Sequence, residues 1–127
     1  MTDRFEQGTK TRRRILGDAH VDRAEAAKTA FDEPFQTLIT ETAWGNLWSR
    51  DQISDRERSM LTIALLAALG NTEELALHIR SAANTGASQR DVIEALLHVA
   101  VYAGVPRANT AFKIAKEIFA EMQASDD

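Results

Sequence analysis

Residues 54–87 read SDRERSMLTIALLAALGNTEELALHIRSAANTGA, and the punctuation of this stretch decides the fold. Ser54 followed by Glu57 has capping-box spacing, so a helix starts at about Asp55. Its continuation, MLTIALLAAL, is apolar on every side, and a helix like that must be buried all round. Gly70 ends it, and Asn71 with Glu74 starts a second helix by the same capping logic, which runs until Gly86. On that second helix Leu75, Ile79, Ala82 and Ala83 form an apolar stripe. Glu74 and His78, four residues apart, lie along one edge of it. A carboxylate and an imidazole within reach of each other at the margin of a core make a candidate catalytic pair. The alternative is that His78 packs in the core and Glu74 is a helix-start charge stabilised by the helix dipole.

Toward the C-terminus, Ser88 with Asp91 starts a helix over Gln89–Ala103, with Val92, Ile93, Leu96, Leu97, Val99 and Ala100 facing the core. Gly104 closes it. Pro106 suits the first turn of a last helix bearing Ala108, Phe112, Ile114, Ala115, Ile118 and Phe119. The tail beyond Met122 is polar and expected to fray. Toward the N-terminus, Asp3–Leu16 reads as a polar helix ended by Gly17. Asp18-Ala19-His20-Val21-Asp22 reads as a turn or extended link before the Ala-rich, helix-favouring Arg23–Thr29. Pro34 fits the first turn of a helix carrying Phe35, Leu38, Ile39, Thr42 and Ala43 on one face. That helix runs into Trp44-Gly45-Asn46-Leu47-Trp48, an amphipathic wall or interface, with core packing expected for at least one tryptophan. No stretch alternates like a strand. The expectation is an all-α domain of five or six helices joined by short Gly-centred turns. It spans residues 1–127 as a single domain, with an N-terminal helical arm of about 1–30.

With 127 residues, 44% apolar and 27% charged, the chain has an ordinary globular balance and enough length for a core without staples. The net charge, 15 − 19 = −4, argues against a nucleic-acid partner, which needs a basic face. Arg12-Arg13-Arg14 is the local exception and reads as a solvated helix face rather than a phosphate-binding patch. No cysteine is present, which removes disulfides, thiolate metal sites and thiol redox chemistry together. The apolar run Met60–Leu69 falls far short of the ~20 residues that span a bilayer, and MTDRFEQGTKTRRR is no secretion signal. A soluble, cytoplasmic protein is expected, with no membrane partner. Because complete burial of MLTIALLAAL is easiest when a second subunit covers one face, a homo-oligomer is expected too. The three histidines match no compact ligand motif, so no metal is expected.

Several blocks carry a resemblance. They are Arg12-Arg13-Arg14-Ile15-Leu16-Gly17-Asp18-Ala19-His20-Val21-Asp22-Arg23-Ala24, Phe35-Gln36 through Ala43-Trp44-Gly45 to Trp48, and Asp55-Arg56-Glu57-Arg58-Ser59-Met60-Leu61-Thr62. Leu77-His78-Ile79-Arg80 and Val99 through Pro106, with Asn109, complete them. In these the chain resembles the carboxymuconolactone decarboxylase family over nearly its whole length, and the first two blocks point to its decarboxylase branch. The hydroperoxidases of that wider family use a Cys-x-x-Cys-x-x-x-His motif. Counting back from His78 puts its cysteines at Asn71 and Glu74, so a disulfide relay is excluded here. The resemblance implies an AhpD-like helical fold, a helical oligomer (commonly a hexamer), and no metal or organic cofactor. It also implies a reaction: loss of CO2 from 4-carboxymuconolactone, giving beta-ketoadipate enol-lactone in the protocatechuate branch of aromatic catabolism. An isomerase or a decarboxylase of a related lactone on the same scaffold, or a non-catalytic helical oligomer, are the alternatives.

For that reaction the substrate, a small lactone dicarboxylate, carries its own electron sink. The leaving carboxylate is conjugated through the ring alkene to the lactone carbonyl. The protein's tasks are to stabilise charge on that oxygen, keep water from the carboxylate and return a proton. His78 is then the proton donor or hydrogen-bond electrophile, with Glu74 orienting it. Arg58 projects along the buried stripe and wants an anionic partner, either the substrate or a protein carboxylate. His20 folds over a pocket or serves a turn hydrogen bond. Trp44, with Trp48, lines an apolar lid or is buried in the core. Glu94, His98 and Tyr102 make a further four-spaced stripe, read as a relay or as an ordinary helix edge against a neighbouring subunit.

Overall fold

The computed structural model describes residues 3–126, all helix, turn and loop, with no strand among them. It divides into two compact units, Met1–Ser54 and Asp55–Asp127. Among the described residues there are seven α-helices and one π-helical segment, more than the five or six helices expected: α1 Asp3–Leu16, α2 Asp18–Ala27, α3 Glu33–Ile39, the π-helical segment Thr40–Leu47, α4 Asp55–Leu69, α5 Thr72–Thr85, α6 Gln89–Tyr102 and α7 Val105–Asp126.

The C-terminal unit is a four-helix arrangement. α4 packs on α5 and α6, α7 packs on α5 and α6, and α4 also touches α7. Ile63 and Ala67 of α4, Leu75, Ile79 and Ala82 of α5, and Val92, Leu96 and Val99 of α6 meet Ala108, Ala111, Ala115 and Ile118 of α7 in one core. Small residues on α7 let the helices approach closely, and long residues on α4 to α6 fill the space between them. Two boundaries behave as the sequence implies. At Ser88 the capping box is complete, with Ser88 Oγ accepting from the Asp91 backbone N–H and the Asp91 carboxylate accepting from that of Ser88. Gly86 adopts the left-handed conformation (φ 86°) that closes α5, where a Cβ would be strained. Asn71 sits at the N-cap of α5, but its side chain makes no capping hydrogen bond and its backbone N–H donates to the Leu66 carbonyl, so the expected box with Glu74 does not form.

The expected apolar faces are narrower than they read. Val92, Leu96 and Val99 are buried on α6, whereas Ile93 and Leu97 are 45% and 46% exposed, and Ala83 of α5 is exposed. α4 is not buried all round within the chain: Ser59, Ile63 and Ala67 face inward, while Leu61, Leu65 and Leu69 are more than half exposed. The helical period explains this, because residues two apart point about 200° apart. α7 continues as helix to Asp126, past the point where fraying was expected.

In the N-terminal unit α1 packs on the π-helical segment and on α2, and α3 packs on the π-helical segment. The stretch 18–22, expected as a link, is the start of α2. Tertiary ion pairs hold it: Arg13 Nη1 lies 3.0 Å from Asp18 and 2.9 Å from Asp22, both on α2. The arginine run is therefore a solvated face only in part, with Arg14 exposed and Arg13 half-buried. Arg12 is buried with Nη1 3.5 Å from Glu25, and its pKa is lowered chiefly by desolvation. Pro34 occupies the first turn of α3 as expected, but Phe35 and Leu38 are exposed. The chain instead buries Thr40, Trp44 and Trp48, because the π-helical turn rotates these three inward.

Two glycines explain how α1 lies against the π-helical segment. A Cβ on Gly8 would collide with the Thr40 carbonyl oxygen, and one on Gly45 with that of Arg4. Side-chain-free backbone at both positions permits a closer approach than any other residue would.

Candidate active site

The five residues singled out from the sequence fall in both units. Glu74, His78 and Arg58 belong to the C-terminal unit, on the α4–α5 hairpin. His78 and Arg58 are each 8% exposed, two of the few buried ionisable side chains of that unit. Buried cationic or proton-carrying groups are costly unless engaged, which sets both apart from ordinary surface residues. His78 shares its helix face with Leu75 and Ile79 on one side and Ser81 on the other, all buried. Helical spacing therefore delivers the imidazole to a boundary between apolar core and buried hydroxyls. Glu74 stands one turn earlier and is exposed. Within its unit no hydrogen bond or ion pair holds it, and none joins it to His78. Together with Glu73 it lies in the first turn of α5, where a carboxylate also stabilises the helix dipole.

His20 and Trp44 belong to the N-terminal unit. His20 lies on α2, half-buried, rather than in a non-helical link. Trp44 is 6% exposed and Trp48 4%, with ring centroids 5.4 Å apart and planes tilted by 33°. Both indoles are therefore packed, and the π-helical segment that carries Trp44 is a device often found where a side chain must be re-aimed. Ser49 Oγ donates to the Trp44 carbonyl at 2.6 Å and also bonds Thr11 Oγ1 of α1 at 2.8 Å, which anchors the end of the segment.

The other stripe, Glu94, His98 and Tyr102, is exposed along α6. The His98 and Tyr102 rings stack with centroids 6.3 Å apart. This is the open edge of a helix and not an enclosed relay.

Some polar residues escaped the sequence reading. Ser59, Ser81 and Thr85 are buried; Ser81 Oγ donates to the Leu77 carbonyl and Thr85 Oγ1 to that of Ala82. Mid-helix Ser and Thr bonded to the preceding turn are a readable signal for inward-facing hydroxyls. Arg56 and Asp91 form a bidentate pair at 2.8 and 2.6 Å between α4 and α6. The Arg56 guanidinium, with help from the Ser88 backbone N–H, holds the Asp91 carboxyl far below the usual carboxylate range. Asp91 thus caps α6 and ties it to α4. Among the described residues no group of three or more His, Cys, Asp or Glu side chains is placed to hold a metal ion, and no helix is long and apolar enough to cross a membrane.

A groove of about 550 Å³ lies between α6 and α7, and none of His78, Glu74 and Arg58 lines it.

The all-helical build, the Gly86-terminated central helix and a buried histidine with no thiol partner now have a place among known proteins. The chain belongs to the carboxymuconolactone decarboxylase family, whose model matches residues 33–117. It is 39% identical to the 4-carboxymuconolactone decarboxylase of Acinetobacter baylyi over 119 residues, which is 94% of this chain and 89% of that one. It is 38% identical to a nitrosuccinic acid decarboxylase of Metarhizium robertsii over 93% of this chain and 82% of the relative. A 4-carboxymuconolactone decarboxylase of Pseudomonas putida is 44% identical over 43 residues, 34% of this chain and 90% of that sequence.

Proposed function

We propose that this protein is a cofactor-independent carboxy-lyase that converts 4-carboxymuconolactone to beta-ketoadipate enol-lactone and CO2. The observation that carries this reading is similarity along almost the whole chain to a decarboxylase of that substrate. A fold that buries a histidine and an arginine on one helical hairpin, with no cysteine, supports acid–base rather than thiol chemistry.

The C–CO2 bond breaks heterolytically, and its electron pair moves through the ring alkene onto the lactone carbonyl as a furan-like dienolate. Protonation of a ring carbon then gives the enol-lactone. His78 serves as proton donor or as hydrogen-bond donor to the developing oxyanion, and Glu74, on the neighbouring turn, orients it when substrate is bound. Arg58 binds a carboxylate of the substrate, for which a guanidinium fork is suited. His20 and Trp44 contribute substrate contacts, the indole by excluding water. Excluding water from the departing carboxylate favours its conversion to neutral CO2.

The working form in this reading is a homo-oligomer, with a hexamer expected. Leu61, Leu65 and Leu69 line up at four-residue intervals on the exposed side of α4, and Leu97 and Val101 are exposed on α6. Exposed apolar rows of that kind suit a protein contact.

The second relative points to a competing substrate of related chemistry. A 2-nitrodicarboxylate and the lactone share a carboxylate activated by an electron sink and a second, non-reacting carboxylate. The test is to supply both and follow CO2 release. The reading expects kcat/KM for 4-carboxymuconolactone to exceed that for nitrosuccinate by at least ~100-fold, since a site built for one polar framework rejects another strongly. The reverse order would replace the lactone by the nitro acid, and release from neither would defeat the decarboxylase reading.

A further inference from the structure

The groove between α6 and α7 has the size of a small-molecule pocket and a composition that the proposed chemistry does not use. Its walls are apolar: Val92, Ile93 and Leu96 from α6 face Phe112 and Phe119 from α7. Seven residues, close to two helical turns, separate the two phenylalanines, so both rings lie on one face of α7. The polar lining consists of Gln89, Asn109, Lys113 and Lys116, and no carboxylate is among the lining residues. None of these four side chains forms a hydrogen bond or ion pair among the described residues.

We infer that this groove is a second ligand site, separate from that of His78, and that it takes an aromatic carboxylate. Lys113 and Lys116 are three apart on α7, so the two side chains are neighbours, with a Cβ separation of roughly 5–6 Å, and their ammonium groups can reach one anion from adjacent turns. Two ammonium groups on neighbouring turns suit one carboxylate. The rings of Phe112 and Phe119 offer faces and edges for a flat aromatic body, and the aliphatic wall from α6 closes the other side. Asn109 and Phe119 are ten residues apart, so the lined part of α7 is about 15 Å long, enough for a fused two-ring acid. The amides of Gln89 and Asn109 stand toward its two ends and supply further hydrogen bonds. The charge of the site selects an anion, and its walls select the aromatic one over a small hydrophilic acid.

The test is a calorimetric titration of the full chain with 2-naphthoate and, as neutral isostere, 2-naphthamide. The wild type is expected to prefer the carboxylate by at least about tenfold in Kd, a preference that weakens with salt. In the double variant Lys113→Gln/Lys116→Gln the two probes should bind alike. Both lysines are exposed, so the variant is expected to fold, and an unchanged circular dichroism spectrum checks that. Ile93→Trp, which fills the groove from its exposed rim, should weaken both probes together. Equal binding of acid and amide by the wild type would overturn the inference, as would unchanged discrimination in the lysine variant. Absence of binding, as when a second copy of the chain fills the groove, would overturn it too. Lactone turnover with an unaltered KM in the lysine variant is expected. A KM raised at least about tenfold would make this groove the substrate pocket and refute the existence of a separate site.

Discussion

Gly8→Ala asks whether the α1 crossing is as close as it looks. On an open helix face this change adds helix propensity, a gain of about 1 kcal/mol. Here the new methyl would overlap the Thr40 carbonyl oxygen and sit 2.9 Å from the Gly45 nitrogen. All of these are backbone atoms, so no side chain can rotate away. α1 and the π-helical segment must separate by roughly 1 Å, which forfeits a quarter to a half of the dispersion contact along the crossing. Overpacking of this kind costs about 1–3 kcal/mol when side chains can adjust, and more when they cannot. With backbone on every side the cost is put at about 3–4 kcal/mol, and subtracting the propensity gain of about 1 kcal/mol leaves a net loss of roughly 2–3 kcal/mol. For a chain of this size that lowers Tm by about 6–15 °C. The assay is urea denaturation at one protein concentration, with Gly86→Ala as control. At Gly86 no atom lies within 4 Å of the added Cβ, so its cost is that of the left-handed backbone, about 1–2 kcal/mol. A Gly8→Ala protein as stable as the wild type would refute the close crossing.

Other perturbations separate the remaining parts of the account. Asp91→Asn removes the acceptor shared by Arg56 and the α6 cap. Because the folded-state pKa of Asp91 lies below the ordinary value of 3.8, its stabilisation is present above about pH 4 and is lost as pH falls further. The gap between wild type and variant in urea titrations should thus be constant from pH 7 to 5 and shrink below pH 4; a gap that stays constant to pH 2 would deny the linkage. Ile79→Ala empties a fully buried position in the α5 core and should cost about 2–5 kcal/mol in the same assay. Leu65→Asp puts a charge on the exposed apolar side of α4, and size-exclusion chromatography should then show a smaller species with unchanged helicity; an unaltered elution volume would place the subunit contact elsewhere.

What the sequence disclosed follows the range of the forces involved. Gly70, Gly86 and the Ser88–Asp91 box act within a few residues, so α4, α5 and α6 begin and end close to where they were expected. The first half of α2, residues 18–22, was missed because Asp18 and Asp22 are fixed by Arg13 from another helix, a tertiary pairing that local propensity does not contain. The π-helical turn depends on Gly8 and Gly45, thirty-seven positions apart, meeting backbone to backbone. Ile93 and Leu97 were assigned to the core because an apolar residue that lines a groove or meets a partner looks the same in sequence as one intended for the interior. At the site, helical periodicity was enough to bury His78 beside Leu75 and Ile79. It did not supply a bond from Glu74, since four-residue spacing makes two side chains neighbours without choosing their rotamers.

The most direct measurement is CO2 release from 4-carboxymuconolactone by the wild type and by His78→Ala, each confirmed as the same assembled species. The account predicts turnover by the wild type and a loss of at least ~100-fold in kcat for the variant, the size of a missing proton donor. Equal rates in the two proteins would contradict the role of His78 and move the chemistry to another group.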